Sequence, residues 1–229
     1  MAGLTRRSLG AGALALAAGA ARGQGGQVDV DLQLVLAVDA SGSVSPGRFE
    51  LQKKGYVDAF RHPTVVKAIK SGVVGAIAVT LFQWTGPRLQ ATIAPWTLLD
   101  GARTADAFAR TIDDAGRRMH GGGTSISGAL DYAAGLFAGS GFRSPRRVID
   151  VSGDGMSTSG RSVAAARDDA IAQGLVINGL PILAVEFDLD RHFERDVIGG
   201  PGCFMLPAKD FESFADAVRR KLVSEIASL

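Results

Sequence analysis

Residues 32–38, LQLVLAV, are apolar at every position except Gln33. A strand with one wet face alternates polar and apolar residues, so a run without that alternation belongs to a strand covered on both sides. The rest of the chain must therefore supply helices for two faces of a sheet. Its patterning does so.

The first strand is expected over residues 30–39. Ser45 then offers an N-cap with Pro46 at the first helical position, and Phe49, Tyr56, Val57 and Phe60 share one face of the following helix. Strands over 73–84 and 89–96 flank Gly86 and Pro87 and read as a hairpin. A helix over 104–118 follows. A second opens near Thr124, where Ile126, Ala129, Leu130, Ala133 and Phe137 recur at three- and four-residue spacing. Residues 148–152 form a central strand. Val163, Ala166, Ala170 and Ile171 mark a helix that Gly174 can end. Residues 176–185 contain another strand and 203–206 form a short one, and Phe211, Phe214, Ala215, Val218 and Leu222 give a C-terminal amphipathic helix. Strands alternating with helices predict an α/β, doubly wound, mostly parallel six-stranded sheet with one antiparallel edge strand and helices on both faces. At 229 residues and 46% hydrophobic content, the chain suffices for one domain, expected over 30–229 behind a linker at 24–29.

Residues 1–23 read as a cleaved export signal, with Arg6 and Arg7 ahead of a modest apolar stretch and small residues at Ala18, Gly19 and Ala20. Thr5, Arg6, Arg7, Ser8 and Leu9 resemble the twin-arginine signal, which implies a periplasmic or secreted bacterial protein. Without residues 1–23, which carry Arg6, Arg7 and Arg22, 22 basic residues stand against 23 acidic ones, close to balance. No basic stripe or run of like charge is present, so nucleic acid and anionic membrane surfaces are poor partners. Cys203 is the single cysteine, which excludes an intramolecular disulfide.

Ligands of open α/β sheets bind beyond the carboxyl ends of the strands. There the chain places oxygen donors from three distant loops: Asp39, Ser41 and Ser43 in DASGS, Thr124 in HGGGTS, and Asp154 in SGDG. Two carboxylates and three hydroxyls suit a hard cation that keeps part of its hydration shell, Mg2+ above all, with Mn2+ or Ca2+ as alternatives.

The succession D-x-S-x-S, a Thr at a helix start and an Asp in a D-G turn resembles the metal-ion-dependent adhesion site of the von Willebrand factor type A domain. VLAVDASGSV, GGGTSISGAL, VIDVSGDG and INGLPI are similar, more narrowly, to an exported bacterial family of this fold of unknown function. One departure is Gly153 before Asp154, where the broad family often has Ser or Thr. The resemblance implies that Ser41 and Ser43 bind the metal directly, Thr124 directly or through water, and Asp39 and Asp154 largely through water. It further implies a partner protein with an exposed Asp or Glu, captured at the ion's open position.

Two other readings compete. Asp39 at a first strand end superficially resembles the nucleophile of Mg2+-dependent phosphatases of the haloacid dehalogenase type, but Ser41 stands where those enzymes need a second Asp. No G-x-S-x-G elbow or phosphate-binding loop occurs. The other reading is a structural module whose metal only staples loops together. His62, His120 and His192 lack ligand spacing to one another and read as surface residues, Asp150 as a buried hydrogen-bonded acid, and Trp84 and Trp96 as packing.

Overall fold

The computed structural model describes Met1 and residues 26–119 and 121–227. Apart from Met1, the expected export signal lies outside the described residues, as does His120. The strands are β1 (Val28–Asp29), β2 (Leu32–Asp39), β3 (Ile77–Trp84), β4 (Gln90–Leu99), β5 (Phe142–Arg143), β6 (Arg146–Gly153) and β7 (Val176–Pro181). The helices are α1 (Pro46–Arg61), α2 (Pro63–Lys70), α3 (Ala102–Asp114), α4 (Ile126–Leu136), α5 (Val163–Ala172), α6 (Leu189–His192), which runs on into a π-turn at Phe193–Val197, and α7 (Phe214–Ala227).

β2 lies at the middle of a five-stranded sheet of order β4-β3-β2-β6-β7. Its pairings with β3 and β6 are parallel, as is β6 with β7, and the β3–β4 hairpin supplies the antiparallel edge. Every β2 residue is buried, and its side chains part to two cores. Leu34, Leu36 and Val38 pack with Tyr56, Phe60, Phe108, Phe214 and Leu222, from α1, α3 and α7. Val35 and Ala37 pack with Ile126, Leu130, Ala133 and Val163, from α4 and α5. This division is the physical meaning of the nearly continuous apolar run, since its apolar residues enter one core or the other by turns, while Gln33 donates to Ser140 Oγ.

Several boundaries move for identifiable reasons. The sheet has five strands and not six: the expected strand over 203–206 runs beside β7 but makes only isolated bridges, at Gly179 with Met205 and Ile182 with Ala208. Pro207 lies between those bridges, and a proline cannot donate to a ladder. β3 begins at Ile77 and not at 73, because the Asp31 carboxylate takes the N–H groups of Val74, Gly75 and Ala76 at 2.9, 2.8 and 3.3 Å and holds them in a turn. β7, Val176–Pro181, lies within residues 176–185 as expected. α3 stops at Asp114, short of 118, where the Gln83 side chain substitutes for helical bonding: its Oε1 accepts from the Arg118 N–H at 2.7 Å and its Nε2 donates to the Gly116 carbonyl at 3.2 Å. β1 and β5 form a separate parallel pair, so residues 28 and 29 of the expected linker are strand.

The α1 start agrees with expectation, with Ser45 Oγ accepting the Arg48 N–H and Pro46 at the first helical position. α5 ends before Gly174, whose φ of +75° favours glycine.

Candidate metal centre

At the end of β2 the chain reverses direction locally. Asp39 Oδ1 accepts the Ser41 N–H at 2.7 Å, the Ala40 N–H donates to the Trp84 carbonyl at 2.9 Å, and the Val44 N–H donates to the Ser41 carbonyl at 3.2 Å. An Asp that binds its own backbone two residues on makes a tight, side-chain-stabilised turn. The turn brings Ser41 Oγ to 3.2 Å from Ser43 Oγ. Ser43 Oγ in turn donates to Asp154 Oδ1 at 2.5 Å, across 111 residues of sequence. Four of the five expected residues are thus joined hydrogen bond to hydrogen bond.

Thr124 reaches the same edge through its backbone. The Ser125 N–H donates to the Thr85 carbonyl at 2.7 Å, and Thr85 directly follows Trp84, the β3 residue in register with Asp39. On its other side the Thr124 carbonyl accepts the N–H groups of Thr158 and Ser159, in the loop that follows Asp154.

Burial dominates the electrostatics of the cluster. Asp39 and Asp154 are both fully buried, and each leaves one oxygen, Oδ2, without a hydrogen-bond partner. Burial pushes the Asp39 carboxyl up to about 7, opposed by its bonds to Ser41 and reinforced by the charge of Asp154. Burial also raises Asp154, against the Ser43 hydrogen bond and the charge of Arg48, whose Nη1 lies 3.8 Å from Oδ2. Unpaired buried carboxylates are costly unless protonated or matched with positive charge. A divalent ion beside these oxygens removes that cost, and the adjacent hydroxyls of Ser41 and Ser43 are donors of the right hardness. Among the described residues no three His, Cys, Asp or Glu side chains gather to hold a metal. A site here must therefore draw on hydroxyls, as this cluster can.

Two residues that sequence patterning did not reveal shape the edge. Arg117 donates to the carbonyls of Ala40, Ser41 and Val44 at 2.7, 2.8 and 2.6 Å and so clamps the whole DASGS turn from beneath. Arg48 donates to the Ser43 carbonyl at 3.1 Å and lies over the Phe211 ring. Neither has a periodic signature; an arginine shortly before a glycine run was the sole hint at Arg117. Trp84 is fully buried at the site, and a Cβ added at Gly153 would sit 3.4 Å from its ring and 3.1 Å from Asp39 Oδ2. The departure at Gly153 thus has a local cause, because the Trp84 ring and the Asp39 carboxylate crowd the position.

Of the remaining expectations, Asp150 is buried and ion-paired with Lys221 Nζ at 2.6 Å. Trp96 is partly buried and donates to the Leu136 carbonyl. His192 is not a surface residue: its side chain is 11% exposed and its Nδ1 lies 2.9 Å from Asp196. His62 is half-buried and caps α2 by accepting the Thr64 N–H.

The parallel sheet and its two helical layers are the fold of a von Willebrand factor type A domain. The solved structures agree on this fold. Proximal thread matrix protein 1 from the mussel byssus, in a form described as having a zinc-occupied MIDAS motif, is 16% identical with a TM-score of 0.66, over 88% of this chain and 49% of that one. The von Willebrand factor type A protein from Catenulispora acidiphila is 16% identical with a TM-score of 0.59, over 86% of this chain and 43% of that one. The corresponding domain of the type V pili tip protein Mfa5 from Porphyromonas gingivalis is 11% identical with a TM-score of 0.57, over 87% of this chain and 97% of that one. The chain spans about half the length of the mussel protein. No curated protein matches it. The chain belongs to the family described as "Protein of unknown function (DUF1194)", whose model matches residues 29–229.

Proposed function

We propose that this protein is an exported, metal-dependent binding domain that captures a carboxylate of a partner protein at the edge built by Asp39, Ser41, Ser43, Thr124 and Asp154. The observation that carries the reading is the pair of buried oxygens on Asp39 and Asp154 that accept no hydrogen bond, set beside a chain of serine hydroxyls. A bound Mg2+, Mn2+ or Ca2+ would supply positive charge that neutral hydroxyls leave largely unquenched, and hence affinity for an outside acid. The protein's own groups fix the donors: Arg117 holds the turn of Ser41, and Ser43 holds Asp154.

The surroundings favour a protein ligand over a small substrate. Leu89, Met156, Val185 and Phe187 are exposed, Phe187 at 97%. They sit on loops around the edge: a Cβ added at Gly122 would meet Leu89, and the Met156 N–H donates to Glu186, between Val185 and Phe187. Exposed apolar side chains grouped on one part of a surface mark a contact site for another protein. Burial of Asp39, with one oxygen tied to the Ser41 N–H, argues against its use as a nucleophile.

The test starts with metal-dependent retention of periplasmic proteins, eluted with EDTA, to supply the partner. Calorimetry of that partner against wild type and Thr124→Ala, each in Mg2+ and in EDTA, then decides the matter. Binding should vanish in EDTA and weaken in Thr124→Ala by about tenfold or more. Equal affinity in all four conditions would refute metal-dependent capture. Export is tested separately: replacing Arg6 and Arg7 together by Lys should trap the precursor in the cytoplasm, and an unchanged periplasmic yield would exclude the twin-arginine route.

A further inference from the structure

Thr124 follows three glycines, Gly121, Gly122 and Gly123, with φ values of +72°, +97° and +80°. Three successive residues of this kind give a segment with little stiffness of its own, since glycine restricts the backbone least. A Cβ built at Gly121 meets nothing within 4 Å, so that end of the segment is not packed either. A donor that must meet a cation to within a few tenths of an ångström therefore needs its position set from elsewhere.

The loop after β6 supplies that restraint. The Thr158 and Ser159 N–H groups donate to the Thr124 carbonyl at 2.8 and 3.2 Å. The Thr124 N–H donates in return to Thr158 Oγ1 at 3.1 Å, and the Ile126 N–H donates to Ser157 Oγ at 3.2 Å. The hydroxyls of Ser157, Thr158 and Ser159 all lie within 3.4 Å of the Thr124 carbonyl. Both backbone groups of Thr124 are thus engaged by a segment that begins three residues after Asp154.

We propose that Thr158, supported by Ser157 and Ser159, is a positioning residue that fixes Thr124 relative to Asp154 and so sets the cation affinity of the edge without touching the ion. This rests on the metal reading above. The physical reason is pre-organisation: the Thr158 hydroxyl accepts from one side of the Thr124 peptide while its loop's N–H groups donate to the other, and the flexible glycine run is held at its business end. Outer hydrogen bonds to ligand residues of this kind commonly govern metal affinity by about 10–100-fold.

Thr158→Val keeps the shape of the side chain and removes the acceptor. Mn2+ binding, followed by the paramagnetic resonance of the free ion, should weaken about tenfold relative to wild type. The Thr124 amide should exchange its hydrogen about tenfold faster in EDTA, because its acceptor is gone. Thr158→Ser, which restores the oxygen, should recover both. The melting temperature in EDTA separates positioning from unfolding; if Thr158→Val does not fold, Ser157→Ala provides the same comparison at the Ile126 amide. Wild-type Mn2+ affinity in a folded Thr158→Val protein would overturn this inference alone. Wild-type protein that binds neither Mn2+ nor Mg2+ would overturn the metal reading and this inference with it.

Discussion

Lys221→Met is expected to cost about 3–5 kcal/mol of stability, the largest single-residue effect predicted for this fold. Lys221 is fully buried on α7, with Nζ 2.6 Å from Asp150 Oδ1 on β6 and 2.7 Å from Glu225 Oε1 one turn along its own helix. Asn178 on β7 donates to the same Glu225 oxygen at 2.9 Å and accepts the Phe204 N–H at 2.8 Å, so the network joins α7 to two strands. Burial lifts the Asp150 carboxyl to about 7, Glu225 adding to the rise and Lys221 opposing it. Burial pulls the Lys221 ammonium down, yet Asp150 and Glu225 outweigh it and hold it above the ordinary lysine value. Removing the ammonium takes away the ion-pair partner of the buried Asp150 and leaves that carboxylate without one, which is strongly destabilising. The triple variant Lys221→Met, Asp150→Asn, Glu225→Gln should recover part of the loss, because no ion remains to be buried unpaired. Chemical denaturation of the three proteins is the measurement; a cost below about 1 kcal/mol for Lys221→Met would show that solvent reaches this network.

Asp39→Asn is expected to abolish the response to metal while making the metal-free protein less sensitive to pH. With Mg2+ at about ten times its dissociation constant, linkage gives wild type about 1.4 kcal/mol, a rise of about 3–6 °C in melting temperature for a chain of this length. Asp39→Asn and Ser41→Ala should show no such rise. The sign of the pH effect follows from the raised Asp39 carboxyl, at about 7 in the fold against about 3.9 in the unfolded chain. The contribution of such an acid is fully present below about pH 4 and is lost as pH rises through about 7. In EDTA, wild type should therefore melt lower at pH 8 than at pH 5, and Mg2+ should restore much of the difference. Asp150 titrates in the same direction and is untouched by the substitution, so Asp39→Asn should reduce the pH dependence and not remove it. An Asp39→Asn protein stabilised by Mg2+ as much as wild type would show that the ion binds elsewhere.

Local sequence made much of this domain legible, for reasons visible in individual residues. The run 32–38, apolar but for Gln33, requires cover on both faces, and both cores are there. Ser45 and Pro46 fix the start of α1 by capping chemistry confined to a few residues. The grouping of Asp39, Ser41, Ser43 and Asp154 was readable because parallel strands bring all their carboxyl ends to one edge, so a motif's place in the strand order also gives its place in space.

Tertiary structure alone decided the features whose partners lie far apart in sequence. Gln83 ends α3 early by bonding the backbone at 116 and 118, and this frees Arg117 to clamp the Ser41 turn 76 residues away. Lys221 and Glu225 look from the sequence like the polar side of an amphipathic helix, yet both are fully buried because Asp150 and Asn178 wait beneath them. Periodicity and capping report what a residue does with neighbours a few positions away. Whether a charge is solvated or paired depends on which distant chain packs over it, so the backbone turn at Asp39 and Ser41 is determined by sequence and the side chains that hold it are determined by the fold.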